Sequence, residues 1–437
     1  MLLLLALAAC AGTAAPQAGA RRAIDVAAEQ YVRLALEIDT HEEGYVDAYF
    51  GPREWRDQAR ANPRSIYELQ RFSWRIEDEV NSVLQDRDDD TRRRAFAMRE
   101  ALRSARFRLD MIGHDFPWAG LGTEAEFLFA LKDLPYYEFP HYEPILASID
   151  AMLPGEGPLN ERVEAFRARY VISPDRLQAV MERAIGECRA RTRAHLLLPE
   201  NESFRMEFVT GKSWSAYNWY QGNNQSLIQV NTDIPLTIDR ALALACHEGY
   251  PGHHVQGIYN ERNYRERGWP EYSVAPLYHP SAPLNEGGGN FGVEMAFPGD
   301  ERLAFERDTL YPLAGLDPAG ARAYHDLQQA LNELQSARLM IAAGYLRDGL
   351  FAAQFRNPNA RELAIEQTMN YLLVSRARAE QLIAFTDHYR SYVVNYVAGE
   401  VLIRDYVNRV AGDEEGARWA AFERIMSEPT LPRDLQP

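Results

Sequence analysis

Eight consecutive residues, His247-Glu248-Gly249-Tyr250-Pro251-Gly252-His253-His254, carry three histidines and a glutamate. A His followed directly by Glu, with another His further along, is how a helical zinc-hydrolase site begins. In the H-E-x-x-H arrangement two His at i and i+4 share one helix face and hold the metal, while the Glu activates a water. Here the i+4 position is Pro251, so the pattern is interrupted. Pro251 lacks an N–H and crowds the carbonyl of the preceding turn, and Gly252 frees the backbone beside it, so the spacing predicts a kink. In an unbroken helix His253 would lie roughly 120° away from His247, and His254 about 10.5 Å along the axis. The kink favours His253 as the second ligand, with His254 as the alternative.

Glu248 is the expected general base. A third ligand must come from elsewhere, and Glu261, Glu266, Glu271, Glu286 and Glu294 follow downstream. The run Asn285-Glu286-Gly287-Gly288-Gly289-Asn290 would let its helix approach another closely, but spacing alone does not choose among these five. Cys246 adjoins His247, but neighbours on a helix point about 100° apart. With Cys188 it is expected to be a buried free thiol, a bridge between the two being the alternative. A second pair, His41-Glu42, has Tyr45 at i+4 and no nearby His, and reads as a solvated helix end.

The motif His247, Glu248, Pro251, Gly252, His253 resembles the signature of the bacterial "domain of unknown function 885" family, regarded as zinc metallopeptidase-like and related to the gluzincins. The likeness extends from about Trp219 to Tyr406. It takes in Asn218-Trp219-Tyr220, Val230-Asn231-Thr232-Asp233, the Glu286-Gly287 pair and a tyrosine near Gly399. The sequence departs from the commoner family form at Gly288-Gly289, where a bulky residue and Ala often stand. The resemblance implies a Zn²⁺ held by His247, His253 and Glu286, with Glu294 as the alternative to Glu286. It implies Tyr396 facing the metal, where its hydroxyl could donate to an oxyanion. Arg390 and Arg404 are candidates for binding a substrate carboxylate, and Asn231 for binding substrate. The expected activity is peptide-bond hydrolysis. The same chemistry would serve a non-peptide amide or ester, and a non-catalytic metal-binding envelope lipoprotein is the remaining reading.

These residues need a scaffold. At 437 residues, with 46% hydrophobic and 25% charged content, the chain can bury a full core. A net charge of −16 argues against nucleic acid and against anionic lipid surfaces as partners. Residues 1–22 read as a signal peptide and small-residue tether, with Leu7-Ala8-Ala9-Cys10 resembling a lipobox that would anchor the exported chain to a membrane through Cys10. The apolar run is too short to span a bilayer, and an ordinary signal peptide cut near Ala15 is the alternative.

From residue 23 the expectation is one mainly α-helical catalytic unit with a small β-sheet beside the metal helix and a deep central cleft. It divides into a helical part (23–200) and a metal-site part (201–437). Val26, Tyr31, Leu34, Ala35 and Ile38 recur at helical spacing. Phe204–Val209 and Ser226–Asn231 alternate as strands, with Tyr217–Gly222 as an aromatic turn between them. Thr237–Asn260 is the metal helix. Tyr389, Tyr392 and Tyr396 share a face of a C-terminal helix, and His279 lies in a Pro-rich loop before Glu286.

Overall fold

The computed structural model describes residues 16–114, 120–135, 137–350 and 359–437. The lipobox and Cys10 lie outside the described residues. Helices dominate, and two small sheets sit against them. No helix among the described residues is long and apolar enough to cross a membrane.

The N-terminal helices Pro16–Ile38, Ile66–Asn81 and Asp89–His114 pack side by side around Tyr31, Leu34, Ile38, Leu69, Ile76 and Leu102. Val26 departs from the expected stripe and is exposed. Ser65 and Glu68 form a reciprocal capping box that starts the second of these helices. Strand β1 (Val46–Tyr49) follows the first helix and pairs antiparallel with β5 (Val274–Pro276), tying the N-terminal helices to the metal-site half. Helical periodicity gave no sign of β1, because a four-residue strand is too short to show alternation. His41 lies in the turn past the end of the first helix at Ile38, hydrogen-bonded to the Arg64 carbonyl, and Glu42 is held by Arg108 rather than by solvent.

The second sheet has three strands: β2 (Ser203–Val209), β3 (Ala216–Gly222) and β4 (Gln225–Asn231), in the order β2-β4-β3. The segment expected as an aromatic turn is therefore strand β3, antiparallel to β4. The turn is Asn223-Asn224, both at positive φ (55° and 59°), where asparagine is tolerated and a two-residue hairpin loop is closed. Glu261 pins that turn. It accepts from the backbone N–H groups of Asn223 and Asn224 and from the Tyr220 hydroxyl.

The helix Ala282–Ala296 packs closely along Val394–Ala411. Gly287 faces the backbone of Gly399 there. Cys188, on the helix Pro174–His195, and Cys246 are joined in a disulfide. This corrects the expectation of two free thiols: the helix bearing Cys188 packs directly on the turn bearing Cys246, with Cα atoms 5.5 Å apart.

Candidate metal centre

The expected single kinked helix is in fact two. The first, Ile238–Leu244, is preceded by Thr237 and runs into a π-helical turn, Ala245–Gly249, that carries His247 and Glu248. Tyr250 is extended, the Tyr250–Pro251 peptide is cis, and a new helix, His253–Arg265, begins at His253 itself. The Gly252 N–H donates to the Cys246 carbonyl across the break. A Cβ on Gly252 would lie 1.8 Å from the His247 carbonyl oxygen, so only glycine fits. The six-residue spacing of His247 and His253 is thus made by a break between two helices, not by helix phase.

His247, His253 and Glu286 converge, with one potential ligand atom from each lying within 4.8 Å of the others. Glu286 Oε2 is 3.3 Å from His247 Nε2 and 3.6 Å from His253 Nε2. The Tyr392 hydroxyl donates to the other oxygen, Oε1, at 2.7 Å. Gly289, one turn past Glu286, gives the His247 ring its space, since a Cβ there would stand 2.6 Å from Nδ1.

The far side of each imidazole is also committed. His247 Nδ1 meets Asn290 Oδ1 at 3.0 Å, and the Asn290 amide nitrogen donates to the Tyr396 carbonyl. His253 Nδ1 meets Gln256 Oε1 at 2.9 Å, and the Gln256 amide nitrogen donates to the Asn285 carbonyl. Both amides are oriented by their backbone acceptors, so each presents an oxygen to the ring and Nδ1 must carry the proton. In the neutral rings both Nε2 lone pairs then aim at a carboxylate oxygen that itself has no hydrogen-bond donor. Three electron-rich atoms facing one another with no hydrogen between them require a cation. A metal ion, or a proton on one Nε2, meets that requirement. Burial lowers the His253 pKa, but the Glu286 charge outweighs it and lifts His253 to about 10. Burial raises Glu286, yet the two histidines hold it well below the usual carboxylate range. The donor set, two imidazoles and one carboxylate, fits Zn²⁺.

Glu248 is buried beside this cluster. Burial raises its pKa, and its Oε2 has no hydrogen-bond partner. Asn218 on β3 donates to its backbone carbonyl at 2.6 Å. Tyr396 stacks toward His247, with ring centroids 6.4 Å apart. Burial, and then the charge of Glu286, raise the Tyr396 pKa well above its ordinary value, so its hydroxyl stays protonated. All of these residues line one cavity of about 1580 Å³, together with Tyr217, Asn218 and Tyr220 of β3.

The other expected residues go elsewhere. His254 is fully buried behind the site, bonded to Ser226 Oγ at 2.7 Å and facing Glu202 at 3.3 Å. Burial raises Glu202, but hydrogen bonds from His254, Tyr250 and Arg189 hold it at about 2. Glu294 is paired with Arg404 and Arg418, Glu271 with Arg94, and Glu266 is exposed. Arg404 lines the cavity but is neutralised by Glu294 and Glu400. Arg390 corrects its expectation: its guanidinium is taken by the buried Glu124, and it does not line the cavity. Asn231 lines the cavity, yet its side chain is spent on Lys212, Trp214 and Asp233, where it shapes the loop before β3. His279 bonds Ser281, away from the cavity lining.

The sequence reading missed Asp47, whose position on the unrecognised strand β1 hid it. It lines the cavity, and burial pushes its pKa to about 6 while Tyr217 and His253 oppose the rise. Tyr392, which the sequence marks only as sharing a face with Tyr389 and Tyr396, is the residue whose hydroxyl holds Glu286.

No protein-family model and no curated protein matches the sequence. Two solved structures share its general course. One is a protein from Colwellia psychrerythraea provisionally named a lipoprotein, 14% identical, covering 85% of this chain and 68% of the other at a TM-score of 0.47. The second is Trypanosoma cruzi metallocarboxypeptidase 1, 13% identical, covering 97% of this chain and 95% of the other, also at a TM-score of 0.47. Neither likeness is close enough to assign an activity.

Proposed function

We propose that the protein is a zinc-dependent metallopeptidase. The observation that carries this reading is the convergence of two Nε2 lone pairs on Glu286 Oε2, with both Nδ1 atoms locked as donors. His247, His253 and Glu286 would hold Zn²⁺, which supplies Lewis acidity toward a carbonyl oxygen and lowers the pKa of a water molecule. A structural zinc site is closed by four protein ligands. Here the described residues give three, at the wall of a large cavity, as in catalytic sites.

Glu248 is the residue placed to take a proton from the attacking water and return it to the leaving nitrogen. Its burial without a partner gives it the raised proton affinity that a base working near neutral pH needs. The Tyr396 hydroxyl is available to donate to the oxygen that gains charge as the carbonyl becomes tetrahedral. A cavity of about 1580 Å³ exceeds the ordinary small-molecule pocket and suits a peptide several residues long. Strand β3 lies along its wall, at the outside of its sheet, where an extended substrate could pair by its main chain. The Cys188–Cys246 bridge suits an exported protein, since disulfides persist in oxidising compartments.

Glu248→Gln tests the reading. Parent and variant should each retain one zinc per chain, while peptide turnover falls by roughly 10²–10⁴-fold in the variant. Turnover at the parent rate would remove Glu248 from the mechanism. No zinc in a parent purified without chelator and offered the metal would sink the hydrolase reading.

A further inference from the structure

The cavity beside the metal cluster carries a group of arginines of uneven standing. Arg167 is matched by Glu164 and Asp239, Arg302 by Glu306, and Arg404 by Glu294 and Glu400. Arg240, Arg338 and Arg378 line the same cavity, and none of them forms an ion pair with a carboxylate among the described residues. Arg378 bonds only neutral groups, Ser215 Oγ at 3.2 Å and the Gln381 side chain. Arg338 lies over the rings of Phe385 at 5.3 Å and Tyr396 at 5.7 Å, and its buried Nε has no hydrogen-bond partner. Arg240 makes no hydrogen bond or ion pair among the described residues.

The three come from separate elements: Arg240 from the helix leading into the His247 turn, Arg338 from the start of Ala337–Leu350, and Arg378 from the start of Arg376–Tyr389. They are close enough to repel. Burial, with the charge of Arg240 adding to it, lowers Arg338 to about 10 and Arg378 to about 9, and burial lowers Arg240 as well. The nearby carboxylate Asp239 is already engaged by the Tyr324 hydroxyl at 2.6 Å, with Arg167 and Arg302 alongside. Gathering three unmatched guanidinium groups in a half-buried wall is unfavourable unless an anion completes them. The group also touches the chemistry: Arg240 senses the charge of Glu248, and Arg338 flanks Tyr396.

We propose that Arg240, Arg338 and Arg378 form a carboxylate-binding subsite that receives the free C-terminus of the peptide substrate, so that the protein trims peptides from that end. The proposal rests on the metallopeptidase reading above. Guanidinium forks match a carboxylate in shape and charge, and a subsite this near the reacting centre places that carboxylate within a residue or two of the scissile bond. An acidic side chain offers the same chemistry from a different source.

The test compares a peptide such as acetyl-Ala-Phe-Ala-Phe as its free acid, as its C-terminal amide, and as an amide ending in Asp. Cleavage is followed with the zinc-loaded parent, and binding by calorimetry on zinc-loaded Glu248→Gln. The acid should be cleaved and bound roughly ten- to a hundredfold better than the amide, the worth of one charge-assisted hydrogen bond. Arg338→Gln or Arg240→Gln should abolish most of that ratio, while Arg404→Gln preserves it. A ratio cancels any partial loss of folded protein. If the Asp amide matches the free acid, the subsite reads side chains and the C-terminal assignment is overturned. Equal treatment of acid and amide by the parent overturns the subsite while leaving peptide hydrolysis intact. Discrimination in binding with no cleavage by the parent would leave the subsite standing and remove the hydrolase reading instead.

Discussion

Replacing Asn290 by leucine should weaken zinc binding without touching a ligand. The His247 Nδ1–H now donates to Asn290 Oδ1 across 3.0 Å. His247 is only 9% exposed, so water cannot easily take over that role. Leucine is close in size but accepts nothing, and stranding a buried donor costs about 1–3 kcal/mol. At about 1.4 kcal/mol per decade, this is a loss of roughly five- to 150-fold in affinity. The ring can recover the donor only by changing tautomer, which moves the proton onto the nitrogen that must bind metal, or by rotating away. Asn290→Asp keeps an acceptor and should hold affinity within a few-fold of the parent. Competition against a chromophoric chelator at fixed pH measures all three proteins. A leucine variant that binds zinc as tightly as the parent, or an aspartate variant weaker than the leucine one, would refute the argument that the amide sets the tautomer.

The two adjacent histidines should separate cleanly in elemental analysis. His253→Ala is expected to lose zinc, whereas His254→Ala keeps it and instead loses roughly 1–3 kcal/mol of stability in urea melts, because Glu202 and Ser226 lose their buried partner. The reverse pattern would move the ligand by one residue. Gly252→Ala should abolish zinc binding or folding altogether, since the new methyl cannot fit 1.8 Å from the His247 carbonyl. A variant that melts and binds zinc like the parent would show that the break at Pro251 is not needed to bring the histidines together.

How much of this could be read from the chain alone depended on whether the signal was local. His247, Glu248 and His253 were legible because a His-Glu pair and a Pro-Gly insertion sit within eight residues, and Glu286 because the Glu286-Gly287 pair resembles a family motif. The helical class followed from periodicity. The break between the two helices was not legible, since it depends on where Gly252 lands against the backbone of the preceding turn. The strand β3 was hidden by its aromatic content, although Asn223-Asn224 was a usable turn signal. The arginines were the least readable. All but two of the 47 basic residues are Arg, so type alone distinguishes nothing. Which of them is unmatched is decided by carboxylates brought in from distant helices. Arg390 looked promising beside the tyrosines, but Glu124, 266 residues away in sequence, claims it. The disulfide was misjudged for the same reason, because its partners are 58 residues apart and only the packed structure aligns them.

That bridge also takes two soft ligands out of the neighbourhood of the histidine-carboxylate cluster. Cys246 immediately precedes His247, so while the chain is reduced it carries two thiols at the threshold of the metal site. Thiolates are soft ligands that bind zinc and cuprous copper avidly. A reduced chain that meets metal early can trap it on sulfur, with His247 drawn in and His253 and Glu286 left out. Joining the sulfurs first withdraws them as competitors and leaves imidazole and carboxylate as the only way in. With the sulfurs joined, neither is a free thiolate, and the group beside them offers imidazole and carboxylate ligands alone among the described residues.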